Sequence, residues 1–426
     1  MLPEPTMTET DPMTINERRK YLHKMWQRYR KASRSEKGRL LDEMEQITGM
    51  HRKALIRVLT GRLSRKKRAR ERGAVYGANV ADAVRVIARS LDYPCAERLK
   101  PNLGWMAQHL ASHHEIRLEP ETHHQLEEIS VSTLKRILKK MGRADPKLAY
   151  RKPPRAQRNH LRSAYPMRRI PWDIPEPGHF EVDLVVHGGE DSTGEFIHTV
   201  QMVDVHTGWS EIEAVYGRSY QAMQDGFQTM LKRVPFPILE LHPDNGSEFF
   251  NKHMLRFWQQ NIPQLTLSRS RPYHKNDNRF VEENNHSLVR AYVGHGRLDT
   301  VEQLAILRDL YQRLWLYHNF FQPVLRTVEK VFSDPLHYKR IFDPAKTPFD
   351  RLRAHASLPP TVLATLTQLR ERTNPILLRR QIDELITRLC LATTTHAPQT
   401  VNVYHTLRKE TDPSVTFSFE PMITSR

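Results

Sequence analysis

Three short stretches of the chain place carboxylates at points where strands or helices could deliver them together. Asp183 stands inside the valine-rich stretch EVDLV, and Asp244 directly follows an apolar run in LHPDNGSEFF. Glu282 stands in RFVEENN, near the start of a helical pattern. Acids gathered at one point repel one another unless a cation lies between them. Hard oxygen ligands suit Mg²⁺ or Mn²⁺, so the three acids are candidate ligands of two such ions.

The elements around these acids predict how they could meet. Three consecutive strands are predicted from HFEVDLVVHG (179–188), EFIHTVQMVDVHTGW (195–209) and SEIEAVYG, and two more from PILEL (237–241) and QLTLSR. Helical spacing over 219–234 and in NKHMLRFWQQN separates the later strands. This order predicts a mixed five-stranded sheet with flanking helices, as in the ribonuclease-H-like fold. In that topology the first and fourth strands are neighbours, so Asp183 and Asp244 can approach each other although 60 residues lie between them.

The third acid comes from the helix predicted to begin near Asn278. Asn278, Glu282 and Asn285 are spaced i, i+4 and i+7, so they share one helix face. Two ions held by such a triad activate an attacking oxygen and stabilise the leaving oxygen of an in-line displacement at phosphorus. The neighbouring Glu283 is the alternative third acid.

The charge of the chain indicates a polyanionic partner. Lys and Arg number 66 against 48 Asp and Glu, a net charge of +18, and the surplus is concentrated in segments 61–73 and 147–171. Clustered cations of this kind favour nucleic acid, because each phosphate contact releases counterions. Cys95 and Cys390 are far apart, which argues against a disulfide framework or a cysteine zinc site and fits a reducing cytosol. No apolar run reaches the roughly 20 residues of a membrane span.

Two helical segments resemble DNA-reading units. Residues 33–63 predict a helix, a break at Thr48-Gly49-Met50 and a basic second helix, the arrangement of a helix-turn-helix. Residues 126–143 predict a second basic amphipathic helix. The alternative is an ordinary packed helical hairpin. The candidate DNA contacts are Arg52, Lys53, Arg57, Lys135, Arg136, Lys139, His274 and Lys275, of which the last two stand in a stretch that is equally typical of a solvated loop.

These patterns predict a multidomain protein with all-α helix-turn-helix units, an α/β ribonuclease-H-like core and a mostly helical C-terminal region. The expected domains are 1–73 (helix-turn-helix with a basic run), 74–143 (second helical domain), 144–178 (basic, proline-rich linker), 179–300 (catalytic core) and 301–426 (accessory region).

At the three acidic stretches the chain resembles a known family. EVDLV, HPDNGSEF and SRPYHKNDNRFVEENN are similar to the signature blocks of the Asp-Asp-Glu transposases of bacterial insertion sequences, which share the retroviral integrase core. The similarity extends over about residues 165–355. It implies that Asp183, Asp244 and Glu282 hold the catalytic metals. One departure keeps Glu283 open: many relatives carry a basic residue seven positions after the catalytic Glu, whereas position 289 is Val and Arg290 stands seven after Glu283.

The resemblance implies a transposase that binds the terminal inverted repeats of a mobile element, cleaves DNA with Mg²⁺ or Mn²⁺ and joins the freed end to target DNA. The expected partners are double-stranded DNA and further copies of the chain, in a dimer or larger synaptic assembly, within the cytoplasm and its nucleoid. The alternatives are a non-catalytic helix-turn-helix regulator or transposase relic, and a nuclease of the same fold that cleaves without joining.

Overall fold

The computed structural model describes residues 13–61, 75–141, 169–171, 173–190, 193–244, 246, 248–271, 277–332, 338–355, 358–392 and 401–408. Contacts divide the chain into two compact units, Met1–Val75 and Tyr76–Arg426. All of the basic run 61–73 except Gly61 lies outside the described residues, as do most of the predicted linker, His274 and Lys275. None of the described helices is both long and apolar enough to cross a membrane.

The first unit is a bundle of three helices. They are α1 (Ile15–Lys31), α2 (Arg34–Thr48) and α3 (Arg52–Thr60). Thr14 and Glu17 form a capping box that begins α1, and Gly49 ends α2 in the left-handed conformation at φ 64°. The buried side chains are Leu22, Met25, Leu40, Leu41, Met44, Leu55 and Leu59. The predicted break between two helices is therefore present at Gly49, directly before the basic helix α3.

The second unit is built on a mixed five-stranded sheet, as the sequence predicts. The strands are β1 (His179–Val186), β2 (Ile197–Asp204), β3 (Ser210–Tyr216), β4 (Glu240–Pro243) and β5 (Thr266–Leu267), and their order across the sheet is β3-β2-β1-β4-β5. β2 is antiparallel to both β1 and β3, whereas β4 is parallel to β1 and β5 is parallel to β4. Strands β1 and β4 are thus neighbours, which confirms that part of the prediction.

Helices cover both faces of the sheet. α9 (Tyr220–Leu231) packs so closely on one face that a Cβ at Gly226 would lie 2.8 Å from Cγ1 of Val215. α10 (Lys252–Asn261) packs beside α9. On the opposite face, the Tyr311 hydroxyl of α13 (Val301–Phe321) bonds to Thr199 of β2. That face also receives α11 (Arg279–Asn284), which continues into a π-helix (Asn285–Arg290) and α12 (Ala291–Val293).

The second unit also contains helices that precede the sheet in the chain and helices that follow it. Those before it are α4 (Ala78–Ser90), α5 (Ala96–Leu99), α6 (Leu103–Ser112), α7 (Pro120–Glu128) and α8 (Val131–Met141). Those after it are α14 (Pro348–Ala354), α15 (Pro360–Arg372) and α16 (Pro375–Leu391), preceded by a hairpin of β6 (Thr327–Phe332) and β7 (Tyr338–Phe342). Tyr317 donates to the Ser90 carbonyl at 2.8 Å, and Asn102 donates to the Ala345 carbonyl at 3.0 Å. The early helices therefore share one hydrophobic core with the sheet and the C-terminal helices.

A buried carboxylate links the edge of the sheet to two of these helical layers. Glu211 of β3 accepts from the indole N–H groups of Trp209 at 2.9 Å and Trp315 at 2.7 Å, and its second oxygen accepts from Nε of Arg233 at 2.9 Å. Glu211 and Arg233 are both buried. Burial raises the pKa of Glu211, and the Arg233 charge and the indole donors oppose that shift.

We expect Arg233→Met to destabilise the fold, because it leaves Glu211 buried without its cation. Breaking a buried ion pair typically costs about 3–5 kcal/mol. Urea unfolding followed by circular dichroism measures the loss. The adjacent, exposed Lys232 supplies the control: Lys232→Met should change the free energy of unfolding little. The additional substitution Glu211→Gln should recover part of the loss, and equal stability of the two Met variants would contradict the expectation.

Candidate functional site

The parallel register of β1 and β4 brings two of the predicted acids alongside each other. The paired residues run from His179 with Glu240 to Val182 with Pro243. Asp183 and Asp244 are the next residues on the two strands, and neighbouring strands lie about 4.8 Å apart. Asp183 is still within β1, whereas Asp244 stands just past the end of β4. The acidic position at the end of β4 is therefore adjacent to the one in the middle of β1.

The turn after Asp244 adds a further carboxylate to this place. The Gly246 amide donates to Oδ1 of Asp244 at 2.8 Å. A Cβ at Gly246 would lie 2.6 Å from the carboxyl carbon of Glu248 and 2.9 Å from Oδ1 of Asp244. Glycine thus permits both acids to close around the turn. The charge of Glu248 also raises the pKa of Asp183, although less than burial does.

The helix that carries the third predicted acid is tied directly to Asp183. Asn285, at the junction of α11 and the π-helix, donates a hydrogen bond from Nδ2 to Oδ2 of Asp183. Glu282 precedes Asn285 by three residues and so lies on the helix side that faces β1. Glu283 points elsewhere: its carboxylate is 4.0 Å from Arg98 and lines a small cavity with Tyr317 and His318. The Glu283 carboxylate therefore lies beside Arg98, whereas Asn285 of the same segment contacts Asp183.

Glu181, a second acid of β1, holds the start of α11. The sequence patterns do not indicate this role. Oε2 of Glu181 accepts from the backbone N–H of Phe280 at 2.7 Å and of Val281 at 3.0 Å. Glu181 is 1% exposed, and burial raises its pKa to about 8 although the two backbone donors oppose the shift. Arg326 also favours the charged form, and its guanidinium lies 4.6 Å from the Phe280 ring centre. The only sequence signal was an acid two residues before Asp183, on the same side of a valine-rich strand.

The electrostatics of the site fit a cation in part. Burial raises the pKa of Asp183, and the Glu248 charge adds to the shift, while the bonds from the Leu184 amide and Asn285 oppose it. Within the described residues, Oδ1 of Asn285 is buried without a hydrogen-bond partner. The available donors are all oxygens, which is the set that Mg²⁺ and Mn²⁺ prefer. However, no group of three or more His, Cys, Asp or Glu side chains in the described part of the chain is arranged to hold a metal ion.

The predicted DNA contacts have different surroundings. In the first unit, Lys53 and Arg57 are exposed on α3, whereas Arg52 pairs with Asp42 of α2. On α8, Lys139 is exposed, Lys135 pairs with Glu97, and Arg136 bonds to Ser132 and Thr133 in its own helix. Three of these cations therefore already have partners within the protein.

Fold and site together define an α/β protein with carboxylates gathered where two parallel central strands meet a helix. No protein-family model matches the chain. Uncharacterized protein y4rM of Sinorhizobium fredii (strain NBRC 101917 / NGR234) is 34% identical over 320 residues, which is 75% of this chain and 90% of that relative. The chain therefore belongs to the same family as y4rM.

Among solved structures, the chain is similar to the catalytic core domain of BIV integrase. The aligned part covers 42% of this chain and 95% of that domain. The sequence identity is 15% and the TM-score is 0.28.

We expect Mn²⁺ to raise the melting temperature of the wild-type chain and to leave that of Asp183→Asn and Asp244→Asn unchanged. A ligand that binds only the folded state at 100 times its Kd stabilises it by about 2.7 kcal/mol. Thermal unfolding with Mn²⁺ or with a chelator measures the shift. Glu302→Gln, at an exposed acid in the first turn of α13, is the control and should keep the wild-type response. An undiminished shift in both Asn variants would mean that the metal binds elsewhere.

Proposed function

We propose that this protein is a metal-dependent transposase that cleaves DNA at the ends of a mobile element and joins them to target DNA. The observation that carries the proposal is the β1–β4 register, which puts Asp183 and Asp244 at adjacent positions. The strand order β3-β2-β1-β4-β5, with β2 alone reversed, agrees with the ribonuclease-H-like core implied by the sequence motifs. The hydrogen bond from Asn285 to Asp183 attaches the helical segment that carries Glu282 to β1 beside these acids.

In this proposal Asp183, Asp244 and Glu282 hold one or two Mg²⁺ or Mn²⁺ ions. When bound, such ions activate the attacking oxygen and stabilise the leaving oxygen at a phosphodiester. The chain's own contribution is orientation. Asn285 donates a hydrogen bond to Oδ2 of Asp183, which restricts the rotation of that carboxylate. The Gly246 amide does the same for Oδ1 of Asp244.

Substitution of the acids tests the assignment. Asp183→Asn, Asp244→Asn and Glu282→Gln should each lower the rate of metal-dependent cleavage at least about 100-fold, because each loses a ligand that supplies several kcal/mol of transition-state stabilisation. Gel assays on DNA that carries the element's own ends measure cleaved and joined products separately. Glu283→Gln is the matched control and should keep most of the activity.

The outcomes separate the alternatives. Full activity of Glu282→Gln with loss in Glu283→Gln would exchange the roles of the two acids. Cleaved products without joined products would indicate a nuclease of the same fold.

The second candidate is a non-catalytic DNA-binding regulator or transposase relic. The exposed Lys53 and Arg57 of the basic helix α3 support it, because DNA binding through that helix needs no metal site. A wild-type chain that binds element ends but cleaves neither with Mg²⁺ nor with Mn²⁺ would decide for this candidate.

We infer that α3 contacts the DNA backbone through its exposed cations. Lys53→Ala and Arg57→Ala should each weaken binding to element ends and reduce the slope of log K against log salt by about 1, because one phosphate contact is lost. Fluorescence anisotropy at several salt concentrations measures both effects. Lys24→Ala, at an exposed lysine of α1, is the control. An unchanged slope in both α3 variants would exclude this helix from the interface.

A further inference from the structure

Two backbone amides at the start of α11 donate hydrogen bonds to one buried carboxylate. Glu181 lies on the same side of β1 as Asp183, two residues earlier, and is 1% exposed. Its Oε2 accepts from both Phe280 and Val281, the second and third residues of α11. These amides belong to the first turn of the helix, where backbone N–H groups have no partner within the helix itself. The carboxylate therefore provides the acceptor that this buried helix end requires.

The alternative supports for this helix end are few among the described residues. Asn278, the residue that precedes α11, makes no side-chain capping bond, and its Oδ1 is buried without a partner. Other nearby contacts are the salt bridge of the Asp277 side chain with Arg271 at 2.8 Å and cation–π contacts to the Phe280 ring, from Arg279 at 4.4 Å and Arg326 at 4.6 Å. These contacts hold a side chain rather than the backbone. The direction of the first turn thus depends mainly on Glu181.

The helix that Glu181 holds is the one that delivers Glu282. Val281 is the residue directly before Glu282, so a bond to the Val281 amide positions the backbone within one residue of the acid. At the other end of the same segment, Asn285 bonds to Asp183. Glu181 and Asn285 therefore attach α11 to β1 on either side of Glu282.

We propose that Glu181 is a positioning residue, which fixes the first turn of α11 on β1 and thereby holds Glu282 opposite Asp183 and Asp244. The inference rests on the proposed function, since it assigns Glu282 to the metal site. Glu181 itself is bonded to the backbone and does not act as a ligand. It works as an outer-shell partner, and loss of such partners typically costs about 10- to 100-fold in metal affinity or activity.

Substitutions that differ only in the acceptor test this role. Glu181→Met has a similar length and no acceptor oxygen, whereas Glu181→Gln keeps one oxygen that can accept both bonds. Glu181→Asp keeps the carboxyl group but is one methylene shorter, and it serves if the Met variant does not fold. The control is Glu240→Met, which removes an equally buried carboxylate that bonds to His179 and Ser268 on neighbouring strands.

Three measurements are made on the full-length chain: the Mg²⁺ concentration for half-maximal cleavage, hydrogen exchange of α11, and the melting temperature. We expect the Mg²⁺ concentration for half-maximal cleavage to rise at least about 10-fold in the Met and Asp variants. Their α11 amides should exchange faster. Glu181→Gln should restore wild-type values. Glu240→Met should lower the melting temperature without changing the Mg²⁺ requirement, and a loss of stability alone therefore cannot imitate the effect.

The failures are distinguishable. If the wild-type chain cleaves and Glu181→Met or Glu181→Asp cleaves with the same Mg²⁺ requirement, the positioning role is wrong and the proposed function stands. If α11 exchange is unchanged in these variants, the role is also wrong, whatever the cleavage result. If the wild-type chain does not cleave with any metal, the proposed function fails, and the positioning role of Glu181 in cleavage fails with it.

Discussion

The parallel pairing of β1 and β4 is the constraint on which the candidate site depends. Sixty residues separate Asp183 from Asp244 in the chain, and the pairing reduces that separation to one inter-strand step. Neither acid could be moved along its strand by one residue without reaching the opposite face, because side chains alternate along a strand. The helices on both faces make this register difficult to change, since each buries one set of alternating residues.

Carboxylates that lie close together repel one another, and in this chain uncharged hydrogen-bond donors contact them. Asp183 receives bonds from Asn285 and from the Leu184 amide, and Asp244 receives one from the Gly246 amide. Glu181 receives two from α11. Such bonds orient the carboxyl groups without bringing a positive charge to them. Burial is the main cause of the raised pKa of Asp183, and the charge of Glu248 adds to it.

The packing around the sheet explains how these elements stay in place. α13 is buried along most of its length and contacts β3, α14 and α16, so the C-terminal region forms part of the support for the sheet. The helices of 76–141 add to the same core through contacts such as Tyr317 with Ser90. Removing either helical segment would expose apolar faces of the sheet unit. The segment before the sheet therefore has a structural role.

Many of the strands and helices could be predicted because local sequence patterns indicate them. Alternation and valine content indicated β1 to β3, helical spacing indicated α9 and α10, and Gly49 marked the end of α2. Residue type and spacing made Asp183, Asp244 and either Glu282 or Glu283 the candidate acids, and the resemblance to the transposase motifs pointed to Glu282. Tertiary structure decided what these patterns leave open: that Glu181 holds α11, that Glu248 acts on Asp183, and that Glu283 turns toward Arg98. The physical reason is that periodicity reports which face of an element is buried, whereas the partner that a polar group meets on that face depends on the register between distant segments.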